Sequence, residues 1–305
     1  MSEIELQATV CAICGTPGNA TELYPANFDP QSFNPTIFSA RRLPDRIHYR
    51  MVTCNDCGLV RSDPVIDPEA LIGLYTQSSF DYGSEVDALQ RTYGRYLKRL
   101  EKHGVKRGAL LEIGCGNGFV LEEAKRQEYR EVRGVEPSIA ACHKATPEIQ
   151  PLIVCDIMRP ELFEPESFDV VCLFQVFDHL PFPADILDSC FKVLKPGGFV
   201  LLLNHNVEAI SARLLGEKSP IIDLEHTYLY SPETLGELVK QRGYEVVEHG
   251  AVFNRYPLQY LARLVPFPPQ VKRLVMNYLR RSGWGRIPLW APLGNLFLIA
   301  RKPAP

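Results

Sequence analysis

The chain has 305 residues, a formal net charge of −3, 46% hydrophobic residues and 23% charged residues. That balance excludes a disordered chain and a uniformly basic nucleic-acid coat, and the length suits two domains or one large α/β domain with an appendage. No apolar run approaches the roughly 18–20 residues needed to cross a bilayer. The start, Met1-Ser2-Glu3-Ile4-Glu5, is acidic and lacks the apolar stretch of a secretory leader. A reducing, cytoplasmic setting is therefore the default expectation.

Nine cysteines, an odd number, argue against a disulfide framework. Four of them form two pairs, Cys11-Ala12-Ile13-Cys14 and Cys54-Asn55-Asp56-Cys57, each followed by a glycine that suits a tight turn. Two such knuckles can close a tetrahedral thiolate shell around one zinc ion, and a closed shell leaves no position for substrate. The expected metal is a structural zinc; a redox pair or an iron–sulfur cluster is the alternative. The 39 residues between the knuckles must carry structure of their own. Cys115, Cys142, Cys155, Cys172 and Cys190 lie among apolar neighbours and read as small buried hydrophobes.

In chain order, residues 1–64 read as a zinc-knit module of short strands, and 65–105 as a helical connector. Leu89, Tyr93, Tyr96, Leu97 and Leu100 recur there at helical spacing before a capping Gly104. From 106 to 250, short apolar runs alternate with helical stretches, the mark of a parallel α/β sheet. Strands are predicted at 109–113, 131–135, 151–155, 169–173, 199–203, 244–249 and 295–301. Helices are predicted at 119–128, 184–194 and 232–242, the last capped by Ser231 and Gly243. Residues 251–305 hold a basic helical insertion and the last core strand.

The sharpest motif is Leu110-Leu111-Glu112-Ile113-Gly114-Cys115-Gly116-Asn117-Gly118, an apolar strand, a glycine loop and then a helix. Glycines let the backbone approach a ligand with no Cβ in the way. A dinucleotide fingerprint would need glycine at 119, where Phe119 stands, and the Lys-Ser/Thr ending of a nucleotide-triphosphate loop is absent. Further along, Glu136 ends the second strand, where a carboxylate can accept ribose hydroxyls. Asp156 and Ile157 end the third, suited to an adenine amino group and ring face. Phe174 and Gln175 end the fourth, and Leu194-Lys195-Pro196-Gly197-Gly198 introduces the fifth.

In this order and spacing the motifs resemble class I S-adenosylmethionine-dependent methyltransferases over residues 106–250. The segment Val52 to Val60, then Asp63-Pro64 and Leu71, Leu74 and Tyr75, resembles the zinc-bearing front of a subgroup. That subgroup acts on deoxysugars, polysaccharides and natural products. The resemblance implies a seven-stranded Rossmann-like α/β sheet with helices on both faces and an antiparallel last hairpin, beside a small N-terminal zinc-binding module. It implies S-adenosylmethionine as methyl donor. Gly114, Gly116 and Gly118, with Cys115 inside their loop, would face its methionine and ribose portions. Glu112 would hold the methionine end, directly or through water. Glu136 would bind the ribose, and Asp156 with Ile157 the adenine. Phe174 and Gln175 would line the floor below the sulfonium.

Methyl transfer needs an acceptor held in line and relieved of a proton, and histidine is a natural base. His179 follows the fourth strand and His226 the fifth. The zinc-bearing sugar C-methyltransferases carry a Glu-His pair after the fifth strand, so the resemblance implies Glu225 and His226 as the deprotonating pair. An acid followed by His after the fourth strand also commonly packs the next helix start. The tyrosine that often precedes the pair is missing from Pro220-Ile221-Ile222-Asp223. His48, His103, His143, His205 and His249 read as surface or local structural residues. The Asn/Asp-Pro-Pro-aromatic floor of base amino-methylation and the Cys-Pro nucleophile of cytosine C5 methylation are both absent, which argues against nucleic acid as substrate.

Residues 251–305 contain nine Lys or Arg and no acid, leaving a formal −12 on the rest of the chain. Two amphipathic helices broken by Pro266-Phe267-Pro268-Pro269 are expected there. The stretch suits a phosphorylated or nucleotide-linked acceptor, an anionic membrane surface with a lipid-linked acceptor met through 255–290, or docking on the acidic remainder or a second subunit. The expected function is methyl transfer to a sugar-derived or other small biosynthetic intermediate. The rivals are an RNA methyltransferase gripping its substrate with the zinc module and basic stretch, and a binding protein that holds the donor without turnover.

Overall fold

The computed structural model describes residues 5–27, 47–77, 86–265 and 267–304. Five short strands open the chain: β1 Leu6–Gln7, β2 Ala20–Tyr24, β3 Met51–Cys54, β4 Val60–Ser62 and β5 Val65–Ile66. Helices α1 Pro68–Thr76 and α2 Val86–Arg99 follow. The core then runs β6 Ala109–Ile113, α3 Phe119–Arg126, β7 Glu131–Val135, α4 Ile139–His143, β8 Ile153–Val154, β9 Phe168–Phe174, α5 Pro183–Val193 and β10 Leu194–His205. It continues with α6 Ile210–Leu215, β11 Tyr228–Leu229, α7 Pro232–Gln241 and β12 Glu245–Ala251. A last lobe, β13 Asn254–Pro257, α8 Leu258–Leu264, α9 Pro269–Ser282 and β14 Pro288–Ala291, precedes β15 Asn295–Arg301.

Seven strands form the central sheet in the order β12-β15-β10-β9-β6-β7-β8. β10, β9, β6, β7 and β8 run parallel, while β15 lies antiparallel to both β10 and β12. This is the expected α/β sheet with its antiparallel end. Every residue of β6 is buried, as a strand covered on both faces requires. Leu111 points into one apolar layer with Val171, Leu187 and Leu202, and Leu110 into the other with Val120, Val170 and Leu201. Truncating either leucine to alanine costs about 2–5 kcal/mol through lost burial and the cavity left behind.

The N-terminal strands do not close on themselves. Their four-stranded sheet has the order β11-β4-β3-β2, so its outer strand comes from the far half of the chain. Tyr228 pairs with Arg61 and Leu229 with Val60. Ser62 adds two stitches, its N–H to Thr227 O (2.9 Å) and its hydroxyl to His226 O (2.8 Å).

Three sequence expectations need correction. The third strand shrinks to Ile153–Val154, because Gln150–Leu152 winds into a 3-10 turn around Pro151. The fifth strand is longer than expected and reaches His205. Cys142 and Cys155 are not isolated buried hydrophobes: their sulfurs are joined, and Cys155 is exposed. α4 folds back over the end of β8 and brings their Cα atoms to 6.4 Å, within bridging range. Cys115, Cys172 and Cys190 are buried and free, as expected.

Candidate active site

Cys11, Cys14, Cys54 and Cys57 converge, with their sulfurs within 4.8 Å of one another. Two pairs measure 3.5 Å (Cys11–Cys57) and 3.9 Å (Cys14–Cys54). Tetrahedral zinc with bonds of about 2.3 Å wants sulfurs roughly 3.8 Å apart, so the thiols fit such an ion. Burial opposes ionisation of Cys54, but backbone N–H groups of Cys57 and Asp56 aim at its sulfur and bring it down to about 7.

The glycine loop leaves β6 in a conformation few other residues adopt. Gly114, Gly116 and Gly118 have φ of 70°, 56° and 77°. The N–H groups of Gly114 and Cys115 both reach Val135 O, at 2.8 and 3.1 Å. A Cβ on Gly114 would lie 2.4 Å from Val176, and one on Gly118 2.4 Å from Ile149. The loop is thus pinned between the ends of β7 and β9.

Glu136, 8% exposed, accepts N–H donors from Gly116 (2.8 Å) and Ser138 (2.9 Å). These bonds aim the carboxylate across the loop and leave each oxygen a further lone pair. Glu112 is buried beneath; burial, then the neighbouring Glu136, raise its carboxyl well above the usual range. Three buried polar atoms here have no hydrogen-bond partner: Glu112 Oε2, Asn117 Oδ1 and Gln175 Nε2. Buried polar groups are seldom left unpaired, so the crevice fits a polar ligand that supplies both donors and acceptors. Gln175 also holds φ 57°, a strained value for a residue with a Cβ. Phe174 is buried and stacks on Tyr93 of α2, ring centroids 4.6 Å apart. Asp156 stands half-buried at the rim; it accepts the Ile157 N–H (2.8 Å) and pairs with Arg159.

A second cluster lies beyond Val176. Asp178 is fully buried and accepts from the backbone N–H and Nδ1 of His205, the latter at 2.6 Å. Its Oδ1 has no hydrogen-bond partner and lies 3.6 Å from His179 Nε2. His179 Nδ1 meets the Tyr75 hydroxyl at 3.2 Å. The His226 ring sits 4.8 Å from that of His179 and 4.5 Å from that of His205. Its Nδ1 hydrogen-bonds Ile221 O (2.8 Å), which leaves Nε2 as the proton acceptor of the neutral ring. A carboxylate oxygen of Asp178 and one nitrogen each of His179 and His226 fall within 4.8 Å of one another, close enough to share a proton or an ion.

Burial alone would raise the Asp178 carboxyl, but His205, His179 and His226 outweigh it and hold it far below the ordinary range. Burial and the fields of His205 and His179 hold His226 well below 6.5, so it stays neutral near pH 7. Glu225 is half-buried beside this cluster, its N–H on Asp223 Oδ1 at 3.2 Å. Burial raises the Tyr75 phenol, and Glu225 and Asp178 raise it further.

A family model described as a methyltransferase domain matches residues 86–249, the span that holds both clusters apart from Tyr75. The chain belongs to the methyltransferase-domain family. It is 33% identical over 162 residues to a tRNA U34 carboxymethyltransferase of Desulfotalea psychrophila, covering 50% of this chain and 48% of that protein. It is 29% identical over 126 residues to a ubiquinone biosynthesis O-methyltransferase of Pseudomonas fluorescens, covering 38% and 53%. The chain thus spans about half the length of these curated relatives. In fold it is similar to a SAM-dependent methyltransferase from Archaeoglobus fulgidus, with TM-score 0.51 and 20% identity, covering 72% of this chain and 97% of that one.

Within this methyltransferase domain the structure adds residues that the sequence did not single out. His205, expected to be a surface or local structural residue, is half-buried and bonded to Asp178 in the cluster. Asn204 beside it is fully buried, with both amide atoms unpartnered. The available signal was the polar pair Asn204-His205 ending an apolar parallel strand, because ligands of α/β sheets collect at the carboxyl ends of strands. Tyr75, outside the matched span, figures in the sequence only in the resemblance of the front segment; no spacing ties it to the histidines, since it arrives from α1, 104 residues before its partner His179.

Proposed function

We propose that the chain transfers the methyl group of S-adenosylmethionine to a small-molecule acceptor, sugar-derived or another biosynthetic intermediate, with His226 as general base. The observation that carries this reading is the pinned glycine loop, flanked by the aimed Glu136 carboxylate and by three unpartnered buried polar atoms. The donor supplies a methyl carbon activated by positive sulfur. Gly114, Gly116 and Gly118 let the loop, with Cys115, pass close to it. Glu136 takes the ribose hydroxyls, Asp156 and Ile157 the adenine, and Glu112 the methionine end. Phe174 and Gln175 floor the crevice below the sulfonium.

On the acceptor side, His226 Nε2 removes the proton. Asp178, tied to His205, stabilises the imidazolium that forms, and His179 with Tyr75 orients the acceptor. Glu225 keeps the His226 turn in register. The four thiols hold a structural zinc, and the setting is the cytoplasm. Among the described residues no helix is long and apolar enough to cross a membrane.

One curated relative is named for tRNA, so the test carries an RNA arm. Labelled donor is offered with nucleotide-sugars, lipid-linked glycans and bulk RNA. Label in a sugar or glycan supports the reading, and label only in RNA replaces it. If calorimetry on zinc-replete protein detects neither the donor nor its demethylated product, the donor assignment fails. If the donor binds and no arm takes label, the non-catalytic binding reading stands instead.

A further inference from the structure

Ten of the eighteen exposed large hydrophobic side chains among the described residues fall between 260 and 290. α9 explains why. Helical geometry gives it two apolar faces rather than one. Leu279 is buried, with Val275 and Met276 half-buried on the same side, and this face packs against the lobe. Val271, Leu274 and Tyr278 repeat at i, i+3 and i+7 on another side and face water, with Leu274 69% and Tyr278 59% exposed. Trp284, Ile287 and Leu289 continue this surface beyond the helix, and the Tyr278 and Trp284 rings meet edge to face at 6.3 Å.

The charge beside this surface has one sign. Arg273, Arg280 and Arg281 of α9 and Arg286 after it are exposed, Lys272 is half-buried, and no acid occurs from 251 to 305. Among the described residues none of these five forms an ion pair.

We propose that the lobe from Pro257 to Ala291 is a docking surface for an anionic phospholipid bilayer. Aliphatic side chains enter the acyl boundary, Trp284 and Tyr278 sit at headgroup depth, and the arginines meet lipid phosphates. Two other occupants fit less well. A second copy would set one basic face against another. Single-stranded RNA would use the flat rings and the charge, but not Val271, Leu274, Ile287 and Leu289, which offer no face on which a base can stack.

The position of the lobe gives docking a use. His205, in the acceptor cluster, pairs with Asn295 across β10 and β15, and the Asn206 N–H reaches Gly294 O at 2.7 Å. The lobe therefore returns to the sheet beside the histidines. Next to that return, α6 exposes Ile210 (73%) and Leu214 (80%), and its Ser211 hydroxyl lies 3.3 Å from where a Cβ on Gly294 would stand. Docking would turn the acceptor mouth toward the bilayer. The inference does not depend on methyl transfer, because docking is measured without donor or acceptor.

The test is co-sedimentation of the full chain with vesicles of phosphatidylcholine, alone or with about a third phosphatidylglycerol. The expected result is at least about tenfold tighter binding to the anionic vesicles, weakened by high salt. Leu274→Glu with Tyr278→Glu should lose about tenfold or more of it. Both sites are exposed, so the circular dichroism spectrum should be unchanged. Equal binding of variant and wild type, or no binding to anionic vesicles, overturns the proposal. So does a wild-type dimer in ultracentrifugation that the double variant splits. Capture by a single-stranded RNA oligonucleotide with vesicles ignored overturns it in favour of RNA.

Discussion

The proposed donor crevice and the histidine cluster meet at Val176 but are built in opposite ways. The crevice is a local object: nearly all of it comes from one stretch between Glu112 and Ile157, much of it is backbone, and Glu136 is aimed by N–H groups close by in the fold. The histidine cluster is an assembled object. Tyr75, Asp178, His179, His205 and His226 arrive from four separate segments. Thr227 N–H reaches Asp178 O (3.0 Å), while Thr227 O and His226 O are stitched to Ser62. The cluster therefore depends on the N-terminal sheet, which is tied in turn to the four thiols. The crevice should tolerate damage there better than the cluster does.

The sharpest way to break this contrast is to remove the proposed zinc. Structural zinc contributes on the order of 10–16 kcal/mol of apparent binding free energy, so Cys54→Ser or chelation should unfold the N-terminal sheet and abolish turnover. The check is zinc stoichiometry alongside thermal melting. If Cys54→Ser keeps a full complement of zinc and melts like wild type, these thiols are not the site.

Next in size is His226→Asn, which can still donate to Ile221 O but cannot act as a base at neutral pH. Turnover should fall about 10²–10⁴-fold while donor affinity stays within about twofold. A comparable loss in donor affinity would mean that the two sites are not separable. The reciprocal change is Gly114→Ala, whose methyl would lie 2.4 Å from Val176 at a φ of 70°. Strain of about 1–3 kcal/mol predicts donor binding weaker by about tenfold or more by calorimetry. Unaltered affinity would show that the loop does not approach the donor.

The smallest effects are in pH. Because His226 is held well below 6.5, the acid limb of turnover should also lie below 6.5, whereas an ordinary exposed histidine would put it near that value. The unfolded chain takes up this proton near 6.5 and the folded chain only at lower pH. Folding stability should therefore decline as pH drops below about 6.5. Glu112 behaves in the opposite sense: its carboxyl is raised, and a cationic donor would lower it. Donor binding should then release a proton and tighten as pH rises, read as a dependence of binding heat on buffer ionisation enthalpy.

The same contrast explains what the sequence made legible. The glycine loop, Glu112, Glu136 and the run of buried strands could be read because each rests on spacing within a few residues. His205 reads as a surface or local structural residue because the apolar run ends at Leu203; only the polar pair Asn204-His205 at its end hints that β10 continues two residues further. Tyr75 and the Cys142–Cys155 link escaped because helix returns set them, and spacing does not encode where a helix folds back. Strand β11, only two residues long, has no periodicity to detect.

That two-residue strand has a consequence for biogenesis. All four clustered thiols are out of the ribosome once residue 57 has emerged, yet the sheet around them lacks its outer strand until residue 229 emerges. Ion capture can therefore precede closure, which must wait for the later strand β11 to be made. During that interval the half-built sheet offers an open hydrogen-bonding edge, a natural point for a nascent-chain chaperone to bind.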